Sequence, residues 1–231
     1  MPEGNIVFVK TPDGVPIHVY IVGAGGSPRP AIMMFSPVFG VDSDIMTLAD
    51  RWAGRGYTVV APDYFARIEP GVFDRSEEGR KRALARWEKL DVKQAMADIK
   101  EVRDYALGLP GATGKIAALG YCAGGELAFL CGTRLGVKAV AANHGTRIER
   151  HLDEAGKIDR ATLHFGGSDA LVPMDKVEAI RTTLKDNPGV DIHVYPGVGH
   201  GFSFEGRPAY DEHAAKSSDQ RAQDLFGSLK Q

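Results

Sequence analysis

Only two cysteines occur in the 231 residues, Cys122 and Cys131, too few for the disulfide scaffold of a small secreted protein. They are nine positions apart, and across a helix that spacing puts them ~13 Å apart along the axis, beyond bridging distance. Cys131 is therefore expected to pack as a buried small residue, and a free thiol at Cys122 suits a reducing compartment. Charge of one sign is also missing. The 28 basic and 30 acidic residues leave a formal charge of −2, and no basic stripe suggests nucleic acid or an anionic membrane as partner. No apolar run approaches the ~18 residues needed to cross a bilayer. The opening Met1-Pro-Glu-Gly-Asn-Ile-Val-Phe8 lacks the pattern of a secretory signal, so a cytoplasmic address is expected. Seven histidines are present, but none forms H-E-x-x-H or a zinc-type Cys/His cluster. Gly23-Ala-Gly-Gly26 opens no G-x-G-x-x-G helix, and Gly111-Ala-Thr-Gly-Lys115 has the wrong spacing for a P-loop.

What is present is an alternation of strand-like and helix-like segments, the pattern of a mainly parallel sheet. Ile6–Lys10 and Pro16–Val22 read as a hairpin, because Thr11-Pro-Asp-Gly14 is strong turn chemistry. Ala31–Phe35 is a continuous apolar run, as a strand buried on both faces requires. Further strands are expected at 57–61, 115–119, 138–142, 161–165 and 191–195. Helices are expected from Asp42 or Ser43 to about Arg55, over 76–90, over 92–107 with Asp91 as cap, from about Ala123, over 174–185 and over 209–230. Residues 143–160 read as a long excursion. No linker or repeat interrupts the chain, so a single domain over 1–231 is expected, an α/β fold with a mainly parallel twisted sheet and helices on both faces.

Gly120-Tyr-Cys-Ala-Gly-Gly125 lies between the apolar run ending at Leu119 and the helix-like Glu126–Cys131. This is the strand–turn–helix context of G-x-S-x-G, in which a nucleophile sits on a strained turn and glycines let backbones pass closely. Cysteine stands in the place of serine. Downstream, one strand-like run ends in Gly166-Gly-Ser-Asp169 and another in Pro196-Gly-Val-Gly-His200. The order nucleophile, acid, histidine is that of α/β-hydrolases, and each residue follows the C-terminal end of a strand, where open α/β sheets keep their crevice. Cys122, Asp169 and His200 are thus the candidate catalytic residues.

On these motifs the chain resembles the dienelactone hydrolases, the carboxymethylenebutenolidase family of the α/β-hydrolase superfamily. The resemblance runs through Phe39-Gly-Val41, Ala61-Pro-Asp-Tyr64, Gly120–Gly125, Gly166–Asp169, Gly199-His-Gly-Phe202 and Arg207-Pro-Ala-Tyr210. It implies an α/β-hydrolase fold and a Cys-Asp-His hydrolase of small lactones or activated esters that needs no cofactor and no metal. One departure stands out. Where well-studied members carry a glutamate that contacts the resting cysteine, this chain has Pro37, which cannot exchange a proton. An arginine two residues beyond Phe202 is replaced by Phe204, whereas the family's helix arginine corresponds to Arg80. These losses argue against the dienelactone itself as substrate and leave the ester-cleaving core intact.

The chemistry of that core follows from the residue types. A thiolate attacks the carbonyl, and His200 together with a helix N-terminus would favour the anion. Asp169 would fix the imidazole tautomer. Two backbone N–H groups must hold the oxyanion, one from Ala123 and one from the loop after the third strand; Pro37 has no N–H, which points to Val38. Candidate substrate-lining residues are Phe39, Arg80, Trp87, His144, Phe202 and Phe204. Arg80 could pair with a carboxylate, or be one solvated arginine in Arg80-Lys-Arg82. Three functions stay open at this point: a carboxylic ester hydrolase, another thiolate enzyme such as an acyl transferase or a C–C or C–halogen hydrolase, and a silent ligand-binding member.

Overall fold

The computed structural model describes residues 3–231. Eight strands form one sheet in the order β1-β2-β4-β3-β5-β6-β7-β8, flanked by helices. β1 (Asn5–Lys10) and β2 (Pro16–Val22) form the expected antiparallel hairpin. Its turn is closed by the Gly14 N–H donating to the Thr11 carbonyl at 2.9 Å. β2 is antiparallel to β4 (Thr58–Pro62), whereas β4 is parallel to β3 (Arg29–Phe35). β5 (Ala112–Tyr121), β6 (Val140–Asn143), β7 (Ala161–Gly166) and β8 (Val190–Tyr195) pair in parallel succession.

The chain divides into two compact units, Met1–Ile116 and Ala117–Gln231. In the first, β3 and β4 are buried along almost their whole length, as their uninterrupted apolar sequences demand. α1 (Ser43–Gly54) starts at Asp42, whose side chain accepts the Ile45 N–H, and packs against β2 and β4 through residues such as Leu48 and Trp52. α2 (Glu77–Glu88) is capped by Ser76 and α3 (Val92–Leu107) by Asp91, each accepting an N–H three residues on. α3 lies on β1, β3 and β4.

In the second unit α4 (Ala123–Leu135) leaves β5 at Cys122 and ends in the left-handed Gly136. Every residue from Ala123 to Thr133 is buried, so this helix is a core element with no polar face. α5 (Met174–Leu184) packs against the segment Ile148–Lys157, two short 3-10 turns joined by a kink at His151, which also touches α4. These turns lie within the expected excursion. α6 (Glu212–Gly227) begins three residues later than expected. Residues 204–210 form successive turns, with Arg207 N–H on the Phe204 carbonyl at 3.1 Å and Tyr210 N–H on the Arg207 carbonyl at 3.0 Å, and Asp211 then caps the helix. Cys131 is fully buried on α4, and both cysteines are free thiols.

Candidate active site

Cys122 sits where β5 turns into α4, at φ 54° and ψ −119°, a conformation that costs a non-glycine residue strain. Hydrogen bonds hold it there. Its N–H donates to the Asn143 carbonyl at 3.1 Å, and its own carbonyl accepts from Gly125 at 2.9 Å and Thr146 at 3.0 Å. The glycines are steric necessities. A Cβ on Gly120 would lie 2.1 Å from the Gly124 oxygen, and one on Gly125 would lie 2.4 Å from the Gly145 Cα. The Cys122 side chain makes no capping bond at the start of α4, so the sulfur is left for other work at a helix end that favours an anion.

Asp169 and His200 are carried by the loops after β7 and β8, which are stitched to each other. Gly167 N–H donates to the Tyr195 carbonyl at 2.8 Å and Ser168 N–H to the Val198 carbonyl at 2.9 Å. A Cβ on Gly166 would meet the Val198 oxygen at 2.4 Å, so the approach requires glycine. Asp169 is buried; its Oδ1 accepts the N–H groups of Leu171 at 2.8 Å and Val172 at 3.2 Å, and its Oδ2 lies 2.7 Å from Nδ1 of His200. The other face of that imidazole meets Cys122. Burial alone would lower the His200 pKa, but the negative charge of Cys122 and the hydrogen bonds of Asp169 and Cys122 outweigh it and push the value up to about 10. Nε2 of His200 has no partner of good hydrogen-bond geometry, so the thiol–imidazole contact is electrostatic and loosely aligned, as catalytic contacts without substrate often are. All three residues singled out in the sequence meet in one place. Among the described residues no group of three or more His, Cys, Asp or Glu side chains is arranged to hold a metal ion.

The model of the dienelactone hydrolase family matches residues 17–230. The chain belongs to that family. It is 27% identical to a carboxymethylenebutenolidase of Pseudomonas putida, covering 97% of this chain and 96% of that one. A protein of Azospirillum brasilense, provisionally given the same name, is 31% identical over 88% of this chain and 89% of its own. Among solved structures, one from Klebsiella pneumoniae, provisionally called a dienelactone hydrolase, superposes with a TM-score of 0.84 at 26% identity, covering 97% of this chain and 98% of its own. A dienelactone hydrolase-like promiscuous phosphotriesterase from metagenomic libraries shares the fold, with a TM-score of 0.74 at 23% identity over 98% of each chain.

Other residues expected at the site of this family member fall into two groups. His200, Phe202 and Phe204 gather around His144, whose ring centroid is 4.8 Å from that of His200, 5.1 Å from Phe202 and 5.8 Å from Phe204. His144 is fully buried at φ 42°, and neither ring nitrogen has a hydrogen-bond partner. Burial, reinforced by the neighbouring His200 charge, holds its pKa well below the ordinary imidazole value. Phe39, Arg80 and Trp87 belong to the first unit. Phe39 is half-buried, with the Arg75 guanidinium over its ring at 4.4 Å; Arg80 is exposed on α2, and Trp87 is buried there. Val38 and Ala123 are both buried, the latter as the first residue of α4. His164 is a satisfied strand residue: its ring nitrogens meet Thr162 Oγ1 at 2.9 Å and the Tyr195 hydroxyl at 3.0 Å. Two buried charges are not legible in the sequence: Glu126, packed on α4 with its Oε1 2.8 Å from Nε2 of His151, and Arg86 on α2.

Proposed function

We propose that the protein hydrolyses a small lactone or activated carboxylic ester through Cys122, His200 and Asp169, by way of an acyl-enzyme. The observation that carries this reading is the single imidazole held at 2.7 Å by a buried carboxylate on one side and acted on by Cys122 on the other. Asp169 fixes the tautomer with Nδ1–H toward itself, which leaves Nε2 to exchange a proton with sulfur. The thiolate adds to the substrate carbonyl, and the oxyanion takes hydrogen bonds from the N–H groups of Ala123 and Val38. His200 returns the proton to the departing alkoxide, which for a lactone stays tethered in the product. His200 then removes a proton from water, the hydroxide adds to the thioester, and collapse frees the carboxylic acid and restores the thiolate. No cofactor enters these steps. The proposed substrate contacts are Phe39, Arg80, Trp87, His144, Phe202 and Phe204. The same reading takes residues 1–231 as one α/β-hydrolase domain with a cytoplasmic address; among the described residues no helix is long and apolar enough to cross a membrane.

The test is a burst experiment with p-nitrophenyl acetate, followed by intact-mass measurement of the quenched protein. A stoichiometric burst with one acetyl group on the Cys122 peptide is expected, and Cys122→Ala should lose both. Full turnover in Cys122→Ala would overturn the proposal.

A further inference from the structure

Arg86 lies on α2 in an arginine-rich stretch, yet it is only 2% exposed. Its guanidinium has no carboxylate in hydrogen-bonding contact. It donates instead to three backbone carbonyls: Nη1 to Glu69 at 2.7 Å and Gly71 at 2.9 Å, and Nη2 to Val38 at 2.6 Å. The aromatic rings of Phe65 and Phe73 lie 4.0 Å and 4.3 Å from its central carbon. The Arg86 Nε has no hydrogen-bond partner, and the opposing charge that acts on the guanidinium most strongly is that of the buried Asp63, so a cation is costly to bury here and a helix could have carried an apolar residue instead.

The three carbonyls belong to two loops. Val38 is in the turn after β3, and Glu69 and Gly71 are in the segment after β4. Around Arg86 the same loops are fastened at several further points. Phe73 N–H donates to the Phe39 carbonyl at 3.0 Å, and Gly40 packs so closely on Gly71 that a Cβ would lie 2.5 Å from its oxygen. The Tyr64 hydroxyl donates to the Ser36 carbonyl at 2.8 Å, and Gly40 N–H donates to the Pro37 carbonyl at 3.2 Å. The last bond matters for direction. In a trans peptide the C=O and N–H point oppositely, so fixing the Pro37 carbonyl aims the Val38 N–H the other way. Arg86 then fixes the next peptide unit through the Val38 carbonyl. Both planes that flank Val38 are thereby set.

We propose that Arg86 is a positioning residue that aims the Val38 N–H, acting through the backbone of the Ser36–Gly40 turn. The inference rests on the proposed role of Val38 as an oxyanion donor. Its range of effect is bounded: losing one oxyanion donor outright costs about 10²–10³ in turnover, so misaiming one should cost about 10–100-fold.

The experiment compares ester turnover with alkylation of Cys122 by iodoacetamide in Arg86→Met and Arg86→Lys. Alkylation is a displacement at carbon with no oxyanion, so it reads the thiolate without reading Val38. The expected result is a 10–100-fold fall in kcat for Arg86→Met, with KM within about threefold and the alkylation rate within about twofold of wild type. Arg86→Lys, which keeps a cation but loses the planar fork, should lie between. Arg86→Met with unchanged kcat overturns the proposal, and so does a parallel fall in turnover and alkylation. If Arg86→Met does not fold, Arg86→Lys alone decides: kcat reduced with alkylation intact supports the role, and any other pattern removes it. Cys122→Ala, run alongside, separates the two readings. Turnover surviving there sinks the proposed function, whatever Arg86 does.

Discussion

His144 and His200 meet edge to face with ring centroids 4.8 Å apart and planes at 68°, and they hold protons in opposite ways. His200 keeps its proton up to about pH 10, because the negative groups of Cys122 and Asp169 outweigh its burial. His144 is pushed the other way by burial and by the charge of His200 itself. Two imidazoles in van der Waals contact are therefore pushed toward opposite protonation states.

The first prediction follows from the retained charge. An imidazolium beside sulfur stabilises the thiolate, so iodoacetamide should modify Cys122 at appreciable rate well below the ~8.5 expected of an unperturbed thiol. It should do so ahead of the buried Cys131. The His200 pKa is raised on folding, so the stabilisation it brings is complete below its unfolded value near 6.5 and is lost as pH rises toward 10. His200→Ala should move the alkylation profile to the ordinary thiol range. A single titration near 8.5 in both proteins would show that no resting ion pair exists.

Asp169→Asn tests orientation. Both oxygens of Asp169 are engaged, Oδ1 by two N–H groups and Oδ2 by His200. An amide that keeps Oδ1 as acceptor presents –NH₂ to His200, which favours the wrong tautomer. Turnover should fall by about 10³–10⁴ with KM little changed. A loss below tenfold would mean that the carboxylate does not orient the ring.

At the elbow, Gly125→Ala should destabilise the protein by about 2 kcal/mol or more. The added methyl meets the Gly145 backbone at 2.4 Å, and backbone cannot rotate away as a side chain can. Urea unfolding gives the number. A variant within 0.5 kcal/mol of wild type, an amount roughly that of an ordinary surface change, would refute the packing argument.

A fourth prediction concerns acid. His164 and His193 stack at 5.1 Å on β7 and β8. Burial and then the neighbouring positive groups lower both pKa values, that of His164 to about 3. Unfolded imidazoles take protons near pH 6.5, so this stabilisation is complete above that value and drains away as pH falls toward 3. His164→Gln, which can keep a hydrogen bond to Thr162 or Tyr195, should lose about 2 kcal/mol less than wild type between pH 6.5 and 4. Identical urea midpoints against pH in the two proteins would exclude His164 as an acid-sensitive point.

The candidate residues Cys122, Asp169 and His200 are legible in the sequence because each is announced locally. Glycines crowd Cys122, and Asp169 and His200 stand directly after apolar runs, so a strand end and a turn are written in the few residues around each. Helix caps such as Asp42, Ser76 and Asp91 are legible for the same reason. Arg86 is not. In Arg80-Lys-Arg-Ala-Leu-Ala-Arg86 it looks like its neighbours, and only Phe65, Phe73 and three distant carbonyls distinguish it. The two short 3-10 turns within Ile148–Lys157, kinked at His151, are equally hidden, since such short turns carry no cap or length signal of their own and are held by packing on α4 and α5. The late start of α6 reflects turn bonds at 204–210, where Gly206 and Pro208 favour turns over helix.

The last prediction weighs His144 against stability. Two buried ring nitrogens without partners are a cost, and replacing such a group by an apolar one of similar shape is nearly neutral or stabilising. His144→Phe keeps a ring against His200, Phe202 and Phe204 and should raise stability by about 1 kcal/mol, less whatever strain φ 42° imposes on phenylalanine. If the nitrogens serve substrate, the same change should lower kcat/KM by about tenfold, mostly through KM, for esters with a hydrogen-bonding group on the acyl side. It should do little to plain alkanoyl esters. A gain in stability with no change in selectivity across that pair of substrates would show that the nitrogens are idle, and that Phe202 and Phe204 alone shape the pocket around His200.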